Sequence, residues 1–268
     1  MSVLGIQAAV TGAFLAVFPG NWKVHDFRLF VAAMPFFKTG DIVVGDRAFC
    51  AYTSLAWLRS IGADMICRLH QRRKFDPSVA KRNAPNNWTV IWKKGVHNAK
   101  SPVPEEQFES FSDELPVRIV KSSMHRNGFR SENIYIATTL LDATLYPASL
   151  ISDLYFERWG IEESFRDLKD SMRYDFIRSR SPASVMKTLK TMFIAHNLIR
   201  AISGTAARKH KVRWQRISFK GAAVSIRLFL VQRLIQGTTR GIANFRRLLV
   251  SIATDLVQER PGRREPRA

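Results

Sequence analysis

The chain has 268 residues, of which 46% are hydrophobic, so it can form one large domain or two small ones and is not a disordered chain. It carries 42 Lys and Arg against 22 Asp and Glu, a formal net charge of +20. Such a charge attracts polyanions, and because it is spread over a long globular sequence we expect nucleic acid as the partner rather than a membrane surface.

Cysteine and histidine spacing indicates neither a zinc site nor a disulfide framework. Cys50 and Cys67 lack the C-x-x-C spacing, and no two of the six histidines have H-x(3–5)-H spacing. A reducing cytoplasm fits this usage. The apolar run 3–18 is short for a membrane span and contains Gln7 and Thr11, so buried strands explain it better, and no membrane segment is expected.

The first 70 residues predict a hairpin followed by alternating helices and strands. Strands are expected at 3–10 and 13–18 around a Thr11-Gly12 turn, then a helix over 25–37, a strand at Ile42–Gly45, a helix near Tyr52–Ser60 and a strand at 63–69. Asp46 ends the third strand, where open α/β sheets bind ligands. An aspartate there is equally typical of a helix N-cap.

Residues 71–141 predict a β-rich insertion, with short apolar runs at 88–92, 115–122 and 133–141. The interval 59–100 holds ten Lys or Arg and only two acids, with Trp88 and Trp92 interleaved. Exposed aromatics among cations could stack on a distorted base. Because positions 88 and 92 share one strand face, packing of both rings in a small core is the slightly favoured alternative.

Residues 142–175 predict one amphipathic helix with an unusual polar stripe. At about 100° per residue, Tyr155, Arg158, Glu162 and Lys169 fall within about 60° of one another. A carboxylate flanked by two cations and a phenol is what a metal and a phosphate require. Since apolar residues form a second face, the solvated side of an ordinary amphipathic helix is the alternative.

The remaining sequence predicts a C-terminal helical region over 176–259, with helices at 183–209, 217–236 and 242–259. Between Arg173 and Lys220 there are twelve Lys or Arg against one acid. The best candidates for binding phosphate are Arg178, Arg180, Lys187 and Lys190. The arginine- and proline-rich tail 260–268 is expected to be disordered.

Two blocks resemble one enzyme family. The stripe matches every spacing of the Y-(2)-R-(3)-E-(6)-K signature of insertion-sequence transposases of the IS-four group in the DDE superfamily, and Gly45-Asp46-Arg47-Ala48-Phe49-Cys50 resembles that family's block around its second catalytic aspartate. The resemblance implies DNA transposition by an α/β, RNase H-like catalytic fold. The core would comprise 1–70 and 142–175.

The resemblance also implies a site and its partners. Asp46 and Glu162 would be catalytic carboxylates that bind metal, with two Mg²⁺ (or Mn²⁺) ions in the complete enzyme. Tyr155, Arg158 and Lys169 would contact phosphates at the transposon end. The partners would be double-stranded DNA, both inverted-repeat ends and target, and a second subunit in a homodimer.

The sequence departs from the family at two points. Gly160 lies inside the signature helix, where glycine costs about 1 kcal/mol relative to alanine, and the family's first catalytic aspartate has no counterpart, since Asp26 and Asp41 lie in the wrong elements. We therefore expect an N-terminally truncated transposase that lacks the first strand of its sheet and is inactive alone. A non-catalytic DNA-binding remnant or regulator, or an unrelated RNA-binding protein, are the alternatives.

Overall fold

The computed structural model describes residues 2–124, 132–172, 181–236 and 241–257, which divide into two compact units. The first unit holds residues 2–4 and 16–158, and the second holds 5–15 and 159–257. The strands are β1 Ser2–Gln7, β2 Phe14–Gly20, β3 Ile42–Gly45, β4 Asp64–Arg68, β5 Lys81–Ala84, β6 Asn87–Lys93, β7 Glu114–Met124 and β8 Glu132–Thr138. The helices are α1 Asp26–Ala33, α2 Tyr52–Ser60, α3 Glu105–Glu109, α4 Ala148–Glu157, α5 Trp159–Arg166, α6 Pro182–His210, α7 Phe219–Gln236 and α8 Gly241–Thr254.

A six-stranded mixed sheet in the order β3-β4-β8-β7-β6-β5 organises the first unit. β3 and β4 are parallel, with Gly45 opposite Cys67, and every other neighbouring pair is antiparallel. The fold is therefore mixed α/β, as expected. The stretch 71–141 supplies four of the six strands, and its status as an insertion stays a prediction.

Helices cover both faces of this sheet, because successive residues of each strand point to opposite faces. Met65 and Cys67 pack in one core with residues of α1, α2 and α3, whereas Ile66 packs in another with Ile151 and Tyr155 of α4. α4 is thereby fixed against the face opposite α2. This placement positions Tyr155 in the first unit.

The prediction of one signature helix is wrong. α4 ends at Glu157, α5 begins at Trp159, and a π turn follows at Asp167–Ser171. The N–H of Arg158 donates to the carbonyls of Tyr155 and Phe156 instead of continuing the regular ladder. Gly160, a poor helix former, lies two residues beyond the break and weakens the helix there.

The second unit is built on α6, which spans 29 residues and confirms the helix expected at 183–209. Ser181 caps its start, with Pro182 in the first turn, and Lys211 ends it at a left-handed φ of 56°. α6 packs with α7 and α8 around a core that includes Ala206, Ala207, Ile217, Leu248 and Ile252. α8 stops at Thr254, short of the expected residue 259, and the tail 260–268 lies outside the described residues.

The N-terminal hairpin is confirmed, with β1 and β2 paired in a two-stranded sheet. Gly12 in its turn has a φ of +69°, and an added Cβ there would lie 2.7 Å from the ring of Trp214. Both the backbone conformation and the close approach therefore require glycine.

Candidate active site

Asp46 lies at the carboxyl edge of the parallel pair β3–β4. Because Gly45 is opposite Cys67, the residues that follow them, Asp46 and Arg68, leave the two strands at the same edge. Asp46 also caps the 3₁₀ turn Arg47–Phe49, with its Oδ1 accepting from the N–H of Ala48 at 2.7 Å. The N-cap alternative is therefore confirmed, and the metal-binding role of Asp46 stays a prediction, since a carboxylate has about four lone-pair sites and one cap bond leaves capacity for a cation.

Tyr155 interacts electrostatically with three charged residues of the first unit, Arg158, Arg68 and Asp46. Its ring is 4% exposed in the core beneath α4. Burial raises the pKa of its phenol, the charge and hydrogen bond of Arg158 and the charge of Arg68 lower it, and the charge of Asp46 raises it. The Arg158 guanidinium lies 5.8 Å from the ring centroid. Tyr155 is therefore within electrostatic reach of a carboxylate and two arginines.

Sequence reasoning missed Arg68. The available signal was its position as the last residue of β4, next to the strand that ends before Asp46, but recognising it requires the parallel pairing. An arginine beside a carboxylate and a second arginine provides two planar forks suited to phosphate.

Two buried free thiols, those of Cys50 and Cys67, lie near Asp46. Cys50 is 4% and Cys67 0% exposed. A hydrogen bond with Cys50 and burial raise the pKa of Cys67, with a further contribution from the charge of Asp46. The same hydrogen bond lowers the pKa of Cys50.

Both tryptophans of the basic interval belong to the core. Trp88 and Trp92 are each 8% exposed, and Trp88 packs against Phe75 and Tyr135. The Arg73 guanidinium covers the Trp92 ring at 3.7 Å. The favoured alternative, that both rings face inward from one strand, is confirmed.

Glu162 and Lys169, the other half of the signature, lie in the second unit. Both are exposed, Glu162 on α5 and Lys169 in the π turn. A π turn uses i→i+5 hydrogen bonds, so the rotation of 100° per residue does not place Lys169. The prediction that the four residues lie on one stripe of a regular helix is therefore wrong. The roles of these residues stay predictions.

A buried ion pair ties the π turn to α6. The Arg200 guanidinium, 7% exposed, donates to Asp167 Oδ2 at 2.7 Å. Burial raises the pKa of Asp167 to about 6, although the charge of Arg200 opposes this, and burial lowers the pKa of Arg200. The sequence signal for this pair was an arginine on the apolar stripe of α6, four residues after His196.

Of the four predicted phosphate-binding residues in the helical region, Lys187 and Lys190 are exposed near the start of α6. Arg178 and Arg180 lie outside the described residues. Within the described ranges there is no group of three or more His, Cys, Asp or Glu side chains able to hold a metal ion. Nor does any helix in those ranges have the length and apolar character that a bilayer span requires.

Comparisons with known proteins find similarity to transposases. Residues 8–198 match the family described as the transposase DDE domain. Transposase InsG for insertion sequence element IS4 of Escherichia coli (strain K12) is 28% identical over 154 residues, which is 55% of this chain and 33% of the relative. The chain thus spans about a third of that relative's length. A cryo-EM structure of the piggyBac transposase synaptic complex with hairpin DNA covers 97% of this chain and 52% of its own, at 14% identity and a TM-score of 0.47. Since the family match extends over more than half of the sequence, the chain belongs to the DDE transposase family.

Proposed function

We propose that this polypeptide acts in DNA transposition, in the cutting and joining of transposon-end DNA, with Asp46 and Glu162 as two of the catalytic carboxylates. The observation that carries the proposal is the carboxyl edge of the parallel pair, where Asp46 follows β3 and Arg68 ends the neighbouring β4. Phosphodiester chemistry needs a carboxylate to bind a cation and guanidinium groups to bind phosphate. Both kinds of group occur at this edge of the sheet.

The donor set suits a hard divalent cation. Asp46 and Glu162 offer carboxylate oxygens, the ligands that Mg²⁺ and Mn²⁺ prefer, and they are the residues that would hold the metal. When bound, a pair of such ions supplies an activated nucleophile and stabilises the leaving 3′ oxygen. The RNase H-like arrangement of the sheet is proposed on the same resemblance.

The lysine and arginine side chains have a separate proposed role, the binding of DNA phosphates. Arg158 offers a planar fork, whereas the exposed Lys169, Lys187 and Lys190 offer point charges for DNA phosphates. Tyr155 is 4% exposed, so we propose that it acts on DNA through its contact with Arg158. Arg178 and Arg180 are proposed from the sequence alone. The partners we propose are inverted-repeat ends and target DNA, with two subunits acting on paired ends.

We further propose that the chain alone binds transposon-end DNA without cutting it. The family's chemistry uses three carboxylates, and the resemblance identifies two. The second candidate function is a DNA-binding remnant that regulates transposition, which the same count of two carboxylates favours.

The test is metal-dependent nicking of a duplex that carries the flanking inverted repeat. The duplex is offered to the chain alone and to the chain extended by the codons that precede Met1 in its gene, each as wild type, Asp46→Asn and Glu162→Gln. Glu163→Gln is the matched control, because Glu163 is the exposed neighbour of Glu162 on α5.

The outcomes separate the candidates. Cleavage by the extended wild type and by Glu163→Gln, lost in Asp46→Asn and Glu162→Gln, supports the enzyme. Cleavage by the chain alone refutes the need for a further carboxylate. Salt-sensitive binding without cleavage in every form favours the remnant, and a preference for RNA of the same length overturns both.

A further inference from the structure

One turn of α6 contacts three other segments of the second unit. Asn197 binds the backbone of Phe14 twice: its Nδ2 donates to the Phe14 carbonyl at 2.8 Å, and its Oδ1 accepts from the Phe14 N–H at 2.9 Å. The fully buried His196 stacks on Phe219 with ring centroids 4.9 Å apart. Arg200, on the same turn, binds Asp167.

Arg200 contacts two aromatic rings and one carboxylate. Its guanidinium lies 5.0 Å from the ring centroids of both Trp214 and Phe219, and its NH2 group donates to Asp167 Oδ2 at 2.7 Å. The two rings and the charge-assisted hydrogen bond thus restrict where the guanidinium can lie. A guanidinium so constrained defines where the partner carboxylate must lie.

Asp167 is the first residue of the π turn, and Lys169 follows two residues later. π turns are rare and are found mostly where function requires them, so this one needs contacts that select it over a regular helical turn. Just before the turn in sequence, Ser164 accepts a hydrogen bond from Gln7 Nε2 at 2.5 Å, and Phe165 packs on Phe14. The segment 164–167 is therefore anchored before Lys169 is reached.

We infer that Arg200 is a positioning residue for the proposed DNA-binding site: its ion pair with Asp167 holds the π turn, and through it directs the ammonium group of Lys169 toward the DNA. Arg200 itself, at 7% exposure, does not reach DNA. The inference rests on the proposed role of Lys169 as a phosphate contact. An ion pair that serves stability alone predicts no specific coupling to Lys169.

The first measurement reports on the turn without DNA. Hydrogen exchange is followed in wild type, Asp167→Asn and Arg200→Met, with Asp170→Asn as the control in the same turn and Arg208→Met as the control on an exposed part of α6. We expect amides of 164–171 to exchange about tenfold faster or more in the two test variants, while amides of α8 and both controls match the wild type. Unchanged exchange at 164–171 overturns the inference. Asp167→Asn keeps the size of the side chain, so it serves if Arg200→Met does not fold.

The second measurement reports on DNA. Lys169→Ala is combined with Asp167→Asn, and the affinity for inverted-repeat duplex is measured as a function of salt. We expect Lys169→Ala to weaken binding about fivefold and to lower the slope of log K against log salt by about 0.9 in the wild type, and to have almost no further effect in Asp167→Asn. Lys187→Ala, the control on α6, should cost the same in both backgrounds.

The two measurements separate the possible failures. Costs of Lys169→Ala that add fully to those of Asp167→Asn overturn the positioning role. If Lys169→Ala leaves DNA binding unchanged in the wild type, the proposed phosphate contact is wrong, and with it the part of the inference that concerns DNA. The exchange data then still decide whether Arg200 holds the turn.

Discussion

His196 and Asp167 should give the second unit opposing dependences of stability on pH. Burial lowers the pKa of His196 from 6.5 to about 4, with the charge of Arg200 adding to the effect. Burial raises the pKa of Asp167 from 3.8 to about 6. Both groups contact or adjoin Arg200, so they belong to one buried cluster.

The signs follow from which state binds more protons. Between pH 4 and 6.5 the unfolded chain protonates His196 and the folded chain does not, so stability rises with pH and is lost as pH falls through this window. Between pH 3.8 and 6 the folded chain holds a proton on Asp167 that the unfolded chain has released, so stability falls as pH rises. At 1.36 kcal/mol per pKa unit, each effect amounts to about 3 kcal/mol. In the wild type the two should nearly cancel between pH 4 and 6.

Single substitutions remove the cancellation. Asp167→Asn leaves the effect of His196, so relative to wild type its unfolding free energy should rise by about 3 kcal/mol from pH 4 to 6. His196→Phe preserves a ring on Phe219 and leaves the effect of Asp167, so its unfolding free energy should fall by a similar amount over the same range. The assay is urea unfolding at pH 4, 5, 6 and 7, read by hydrogen exchange of peptides from α6 so that it reports on the second unit.

The comparison with wild type removes the contribution of other titrating groups. Asp170→Asn removes only the smallest of the charges that raise the pKa of Asp167, so its curve should depart from the wild type far less than that of Asp167→Asn. Parallel curves for all four proteins would refute the reasoning, because they would mean that neither group has a different pKa in the folded and unfolded states.

Three further predictions concern single side chains. Arg118, 0% exposed, donates to Asn87 Oδ1 at 2.8 Å and to the Tyr146 carbonyl at 2.6 Å, so Arg118→Met should destabilise the first unit by about 2–3 kcal/mol in urea unfolding, and a loss under 0.5 kcal/mol would contradict this. Gly12→Ala should cost about 1–3 kcal/mol in thermal unfolding, because it combines a positive φ with a clash, whereas Gly95→Ala, in open space, should be near neutral. Lys187→Ala should lower the salt slope of DNA affinity by about 0.9 without changing the melting temperature, and an unchanged slope would remove this residue from the interface.

Local elements of this fold are predictable where a pattern and its boundary signals agree. β3 and α2 fall at the predicted residues, Ile42–Gly45 and Tyr52–Ser60, because a short apolar run ends in an acid and a helical period follows. Local patterns do not predict which strands pair with each other. β4 pairs with β8 across some 70 residues of chain, and no local pattern records which distant strand closes a sheet.

The signature segment shows a second kind of limit. Apolar periodicity predicts a helix through residues 154–172 correctly in outline, but the break at Arg158 and the π turn at Asp167 change hydrogen bonding by one residue per turn. Helix propensity does not resolve such a small shift in hydrogen bonding, and we infer that tertiary contacts such as the one between Asp167 and Arg200 select it. The spacing of the signature residues therefore does not give their geometry.

Charge composition also predicts less about DNA binding than the net charge suggests. The excess of cations indicates a polyanionic partner, but three arginines serve the interior of the two units: Arg73 covers Trp92, Arg118 binds oxygens beneath α4, and Arg200 binds Asp167. Burial lowers the pKa of all three, which marks them as desolvated groups held by rings or oxygens rather than by phosphate. Because these side chains are occupied, the number of DNA phosphates neutralised must be smaller than the count of Lys and Arg. For the proposed DNA binding, we therefore predict that exposed cations such as Lys169 and Lys187, and not the net charge of the chain, set the salt dependence.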